Sequence, residues 1–206
     1  MTEPFRVGVL ASGAGTNVQA LLDTVHREEG MEIAAVASNS PDAAALHRGR
    51  RAGVEVATFS ERELGTREAR DEVMAAWLSE RGVALVVLAG YMQLLSPGFL
   101  ARFPQAVINV HPALLPAFPG VRAIEQAVAY GVKVFGVTVH FVDEGVDSGP
   151  VIFQRAIELP DATDPEEVHA ALRPLEHELL PSAVRALARG AVSLDPENPR
   201  RVIVED

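Results

Sequence analysis

Phe5–Arg27, FRVGVLASGAGTNVQALLDTVHR, decides the fold. Phe5 to Ala11 is a near-continuous apolar run, as strands buried on both faces of a parallel sheet are. A glycine-rich turn, Ser12–Asn17 (SGAGTN), follows. Val18, Leu21, Leu22 and Val25 then recur at helical spacing, which predicts a helix over Val18–Arg27. The alternation continues. Strands are predicted over 31–37, 54–59 and 83–89, and helices over 43–52 and 67–80, stopped by Gly53 and Gly82. Asp42 is expected to cap the first of these helices. Val73, Trp77 and Leu78 are expected to face inward along the second. A β-α-β-α-β-α-β order gives a parallel sheet with helices on both faces.

The pattern then changes. A short helix is expected over Phe99–Phe103, before the apolar run VINV, and another over Ile124–Ala129. Val134–Val142 and Val151–Leu159 are longer and alternate, which suggests an antiparallel pair joined by DEGVDSG. Asp164 is expected to open a long helix through Arg189. The tail AVSLDPENPRRVIVED suggests a small hairpin. The fold class is therefore α/β: a doubly wound, mostly parallel, Rossmann-like sheet with an antiparallel C-terminal strand pair and a long C-terminal helix. One domain is expected over 1–206, in two halves, 1–100 and 101–206.

The bulk properties exclude several classes. With 206 residues, 48% hydrophobic and 22% charged, the chain can bury a proper core and is not disordered. A formal net charge of −10 disfavours nonspecific nucleic-acid binding, which needs basic residues. The absence of cysteine excludes disulfides, thiolate catalysis and zinc–cysteine sites. The first apolar run is too short for a signal peptide, and no run approaches membrane-spanning length, so a cytoplasmic protein is expected.

Two segments carry chemistry. Val107–Gly120, VINVHPALLPAFPG, places Asn109 and His111 two residues apart at a strand end, on one side of the strand. Open α/β sheets bind ligands at strand ends. Pro112, Pro116 and Pro119 stiffen the exit loop, and a cis bond is expected at Leu115-Pro116. His140–Ile152, HFVDEGVDSGPVI, puts Asp143, Glu144 and Asp147 in a glycine-rich loop. Carboxamide, imidazole and carboxylate together can stabilise an oxyanion and move protons. Each also has an ordinary structural reading: a loop-capping Asn, a strand-end His, a solvated acidic turn. The spacing D-E-G-V-D does not match an EF-hand, and no metal is expected. His140 reads as a residue packed or hydrogen-bonded within its strand. The SGAGTN turn offers helix N-terminal amides to a phosphate, although it lacks both the full G-x-G-x-x-G pattern and the P-loop lysine.

Together these segments resemble the folate-dependent phosphoribosylglycinamide formyltransferases of purine synthesis. The matching stretches are ASGAGTNVQALL, ASNSPDAAALHRGRRAG, LAGYMQLLSP, INVHPALLPAFPG and GVTVHFVDEGVDSGPVI, in order and over nearly the whole chain. The resemblance implies formyl transfer from 10-formyltetrahydrofolate, as co-substrate, to the amino group of glycinamide ribonucleotide. It implies a catalytic trio of Asn109, His111 and Asp147. It implies ribonucleotide contacts from Gly15, Thr16, Asn17 and Glu176. Folate contacts are implied for Arg67, Met92, Gln93, Leu94, Leu95 and Asn109, and for Asp143, Glu144, Gly145, Val146 and Asp147. Arg122, where some members have His, and Arg173-Pro174, in place of a more polar stretch, depart from the family pattern. The implied partners are two small molecules, with no nucleic acid or membrane, and a monomer or homodimer. A 10-formyltetrahydrofolate hydrolase and a nucleotide-binding oxidoreductase are the alternative readings.

Overall fold

The computed structural model describes residues 3–28 and 30–205. Asp206, at the end of the expected tail hairpin, lies outside them. The chain divides into two compact units, Met1–Asn109 and Val110–Asp206.

The first unit alternates strands and helices: β1 (Phe5–Leu10), α1 (Thr16–Thr24), β2 (Met31–Ser38), α2 (Ala44–Arg51), β3 (Glu55–Thr58), α3 (Glu61–Leu64), α4 (Arg67–Glu80), β4 (Leu85–Leu88), α5 (Pro97–Arg102) and β5 (Val107–His111), whose last two residues belong to the second unit. All neighbouring strands here are parallel, in the order β3-β2-β1-β4-β5. The chain winds outward from β1 through β2 to β3, then returns to β1's other side with β4 and β5. Right-handed crossovers place the helices of two such windings on opposite faces, so the sheet is doubly wound. The central strands are buried on both faces: Val7, Val9, Val36, Val86 and Ile108 are all sealed from solvent. That explains their unbroken apolar sequences.

The direction of winding reverses between β1 and β4, and such switch points are where open α/β sheets place ligands. The loops after these two strands are joined there. Ser12 donates its amide to the Gly90 carbonyl at 3.0 Å, and its hydroxyl accepts the Met92 amide at 2.8 Å.

The second unit adds α6 (Ala123–Tyr130), β6 (Val134–Phe141), β7 (Val151–Glu158), α7 (Pro165–Ala188), β8 (Val192–Asp195) and β9 (Asn198–Val204). The expected antiparallel pair is β6–β7 and the tail hairpin is β8–β9, whose β9 runs parallel to β7 at Val151. Asp164 caps α7 by accepting the Glu166 amide. Val168, Leu172, Leu179, Leu180, Ala183 and Val184 form its buried stripe, at helical spacing, against β6 and β7. The Leu115-Pro116 bond is cis, as expected.

Three details differ from the sequence reading. Asp42 does not cap α2; the N-cap is Ala43, with no side-chain hydrogen bond. A short helix, α3, was not anticipated. Val73 is 45% exposed, and α4 instead buries Arg70, Asp71, Met74, Ala75 and Leu78. An inward Arg-Asp pair defeats any reading that sorts residues by polarity alone.

Gly15, at φ +68, sits where a side chain has no room: a β-carbon there would lie 2.7 Å from the Ala45 Cα. Left-handed strain and a backbone clash combine. Gly15→Ala is expected to lower unfolding free energy by about 2–4 kcal/mol. Urea midpoints for the two proteins check this; equal midpoints would contradict it.

Candidate active site

In the second unit, one carboxylate stands between two imidazoles. Asp147 Oδ2 lies 3.3 Å from His111 Nδ1 at the end of β5, and Asp147 Oδ1 lies 3.6 Å from His140 Nε2 on β6. Oδ2 also accepts the Gly120 amide at 2.7 Å. Both rings are buried, at 5% and 1% exposure. The far nitrogen of each ring meets a backbone carbonyl. His111 Nε2 is 2.8 Å from Phe118 O, and His140 Nδ1 is 2.8 Å from Phe141 O. A carbonyl only accepts, so these nitrogens carry the hydrogens. The nitrogens facing Asp147 then carry a hydrogen only when the ring is an imidazolium. His140 keeps the bond to its own strand that the sequence suggested, and it also reaches the acidic loop, which the sequence did not signal.

Backbone shape supports this cluster. Phe118 and Asp147, which supply the carbonyl and the carboxylate to His111, both hold positive φ, +53° and +49°. Such strain in non-glycine residues costs about 1 kcal/mol or more each and concentrates at functional sites. Gly149 lets the loop close, because a β-carbon there would fall 1.8 Å from the Phe141 carbonyl. Thr138 and Gln154 pin the proline loop after His111. The Thr138 hydroxyl donates to Ala113 O and accepts the Leu115 amide, while Gln154 Nε2 donates to Leu115 O. Neither residue stood out in the sequence.

Burial pushes the Asp147 carboxyl up, but the hydrogen bond with His140, the Gly120 amide and the charges of His111 and His140 outweigh it. The net shift is downward from the ordinary 3.8. Asp147 is therefore an anion at neutral pH, able to orient His111 and to balance positive charge on it.

The other residues expected in this unit are placed as follows. Asp143 Oδ1 accepts the Gly145 amide and the Ser148 hydroxyl, and Arg200 Nη1 donates to Ser148 O, so the acidic loop is internally tied. Glu144, Gly145 and Val146 are exposed. Glu176 interrupts the apolar stripe of α7 and is only 5% exposed. That interruption is the signal the sequence did hold. Arg122 is the exposed, left-handed N-cap of α6, and Arg173 and Pro174 lie on the exposed side of α7.

In the first unit, Gly15 is the N-cap of α1 and Thr16 its first residue. The first amides of a helix have no partner within it, and their dipoles favour an anion. Asn17 is buried beside them. Arg48 Nε donates to Ala14 O at 2.9 Å and fixes the turn from α2. Arg67, at the start of α4, meets Glu68 at 3.1 Å in a surface pair of little energetic weight. Met92 and Leu94 project outward at 63% and 57% exposure, Gln93 and Leu95 less so. Asn109 is half-buried on β5 and leaves the same side of the strand as His111. Among the described residues, no cluster of His, Asp or Glu has the arrangement to hold a metal ion, and no helix is long and apolar enough to cross a membrane.

Comparison with known proteins turns this geometry into a family. The formyl transferase family matches residues 5–184. The chain belongs to that family. It is 40% identical over 191 residues to phosphoribosylglycinamide formyltransferase of Mycobacterium tuberculosis (strain ATCC 25618 / H37Rv), covering 93% of this chain and 88% of the relative. The Bacillus subtilis (strain 168) enzyme of the same name is 36% identical over 183 residues, covering 88% and 94%. The crystal structure of glycinamide ribonucleotide transformylase 1 from Symbiobacterium toebii matches with a TM-score of 0.93 at 41% identity, over 100% of this chain and 96% of that one. The chain is thus similar over most of its length to phosphoribosylglycinamide formyltransferases, and the sequence resemblance holds.

Because the carboxyl of Asp147 is held below its ordinary value, its contribution to stability is present above pH 3.8 and is lost as the pH falls through the folded value. Asp147→Asn is therefore expected to be less stable than the native chain at neutral pH, with the gap narrowing below pH 3.8. Denaturant midpoints at the two pH values check this, and a gap that stays constant would contradict it.

Proposed function

We propose that this chain transfers the formyl group of 10-formyltetrahydrofolate to the amino group of 5′-phosphoribosylglycinamide, as a cytoplasmic enzyme of purine synthesis. The observation that carries the proposal is the similarity, over most of both chains, to phosphoribosylglycinamide formyltransferases. The buried His111–Asp147 contact supports it, because it places an imidazole donor against an orienting carboxylate in a buried site.

The chemistry follows from the residues. The amine lone pair attacks the formyl carbon, and the carbonyl electrons move onto oxygen. Asn109 and protonated His111 donate to that oxygen, which is negative only in the transition state and the intermediate. Asp147 faces Nδ1, where it orients the ring and balances positive charge on it. Both ring nitrogens are engaged in the structure, so donation to the oxyanion exchanges the His111 Nε2 bond to Phe118 O for one to substrate. The intermediate collapses as the bond from carbon to the folate nitrogen breaks, its electron pair returning to that nitrogen. One proton leaves the amine and one reaches the folate nitrogen, with Asp147 as the relay. Neither metal nor covalent enzyme intermediate enters.

The remaining assignments belong to the same proposal. The amides of Gly15, Thr16 and Asn17 hold the ribonucleotide phosphate, and Glu176 contacts the same substrate. Arg67, Met92 to Leu95, Asn109 and Asp143 to Asp147 contact the folate.

The test is a formyl-transfer assay with both substrates, with water alone as acceptor as the control. Transfer to the ribonucleotide is expected; hydrolysis without transfer would favour a deformylase. Asn109→Ala and His111→Ala should each lower kcat by roughly 10²–10³, as loss of one oxyanion donor does, while ribonucleotide affinity changes little. A folded variant with native kcat would remove its residue from the mechanism.

A further inference from the structure

The most deeply buried charges in the first unit lie outside every assigned contact. Arg70 and Asp71 are both fully buried on α4 and pair with each other at 2.7 Å. A buried ion pair is a poor way to gain stability, because desolvation offsets much of the attraction. Its remaining bonds indicate what else it does. Arg70 Nη2 donates to the Leu94 carbonyl at 2.7 Å, and Nη1 reaches Gln93 Oε1 at 3.3 Å and Glu61 on α3 at 2.7 Å. Asp71 Oδ2 accepts the Ser96 amide. Ser96 in turn caps α5, its hydroxyl accepting the Phe99 amide.

The segment held in this way, Tyr91 to Ser96, has no regular secondary structure of its own. Its backbone groups therefore need outside partners. Ser12 holds one end through Met92, and the Arg70–Asp71 pair holds the other through Leu94 and Ser96. Beneath lies Tyr91, its ring 6.0 Å from the Arg70 guanidinium and its hydroxyl pushed up to about 12 chiefly by burial, so it stays neutral. Fixing the backbone on the inner side leaves the Met92 and Leu94 side chains standing outward, an apolar pair in a set position.

We propose that Arg70 and Asp71 are positioning residues for the formyl donor: they set the shape of the 91–96 loop and thereby its fit to the folate. This rests on the reading of Met92 to Leu95 as part of the donor site. Charge-assisted bonds to loop backbone carry geometric precision as well as strength. Misplacement of a site loop by an ångström is costly even when nothing touching the substrate has changed.

The test uses the full chain and steady-state kinetics with 10-formyltetrahydrofolate and glycinamide ribonucleotide. Removing one charge would strand the other, so both are replaced together in Arg70→Met/Asp71→Leu, an apolar pair of similar volume that should keep the fold. Circular dichroism and thermal unfolding establish that it does. Leu94→Ala, an exposed substitution, is run beside it. The expected result is a rise of about tenfold or more in the donor KM of the double variant, with the ribonucleotide KM unchanged within about twofold. A structural role alone would lower the active fraction, and so kcat, with both KM values unchanged, which would overturn the proposal; so would equal rises in both. Should the double variant not fold, Arg70→Lys is measured instead. It keeps the charge but not the fork that reaches Leu94, and an unchanged donor KM would equally overturn the proposal. If Leu94→Ala raises the donor KM and the clamp variants do not, the clamp alone fails. If Leu94→Ala also leaves it unchanged, the reading of this loop as donor site fails with it.

Discussion

The Asp147 carboxylate is the constraint around which the second unit's chemistry is built. It accepts the Gly120 amide from the proline loop, faces His111 at the end of β5 and faces His140 on β6. Three separate stretches of chain thus converge on one anion. A buried carboxylate is expensive unless its oxygens are satisfied and its charge is matched. Here the amide satisfies one oxygen, and two imidazoles, each with its outer nitrogen committed to a backbone carbonyl, are placed to match the charge. The left-handed backbone at Phe118 and Asp147 is the strain accepted for this convergence.

The first unit solves a different problem with the same means. Its sheet delivers two loops to the switch point between β1 and β4, and both are tied by hydrogen bonds to neighbouring segments. The glycine turn takes its shape from Gly15, from Arg48 and from the start of α1. The 91–96 loop takes its shape from Ser12 and the Arg70–Asp71 pair. In both units, polar groups that look costly as stability elements are explained as geometry elements.

Much of this was legible in the sequence, for identifiable reasons. Parallel strands buried on both faces write themselves as apolar runs, so β1, β2 and β4 could be read directly. Asn109 and His111 could be paired because a strand end fixes their common side. The acidic loop announced itself by its glycines, although not which carboxylate would turn inward. Other features could not be read. The Arg70–Asp71 pair occupies the inward stripe of α4, where polarity predicts surface and placed Val73 inside instead. His140 lies on a strand buried on both faces, so alternation does not say where it points. Thr138 and Gln154 act by hydrogen bonds across strands, which depend on register and not on local pattern.

The central claim is that the Phe118 carbonyl and the Asp147 carboxylate fix the His111 ring, with a hydrogen on Nε2 and Nδ1 facing the carboxylate. The ¹⁵N chemical shifts of the His111 ring in the free protein test this directly. Nε2 is expected to bear a hydrogen, with its ¹⁵N signal in the pyrrole-like range. A neutral ring protonated at Nδ1, leaving Nε2 bare against the Phe118 carbonyl, would contradict it.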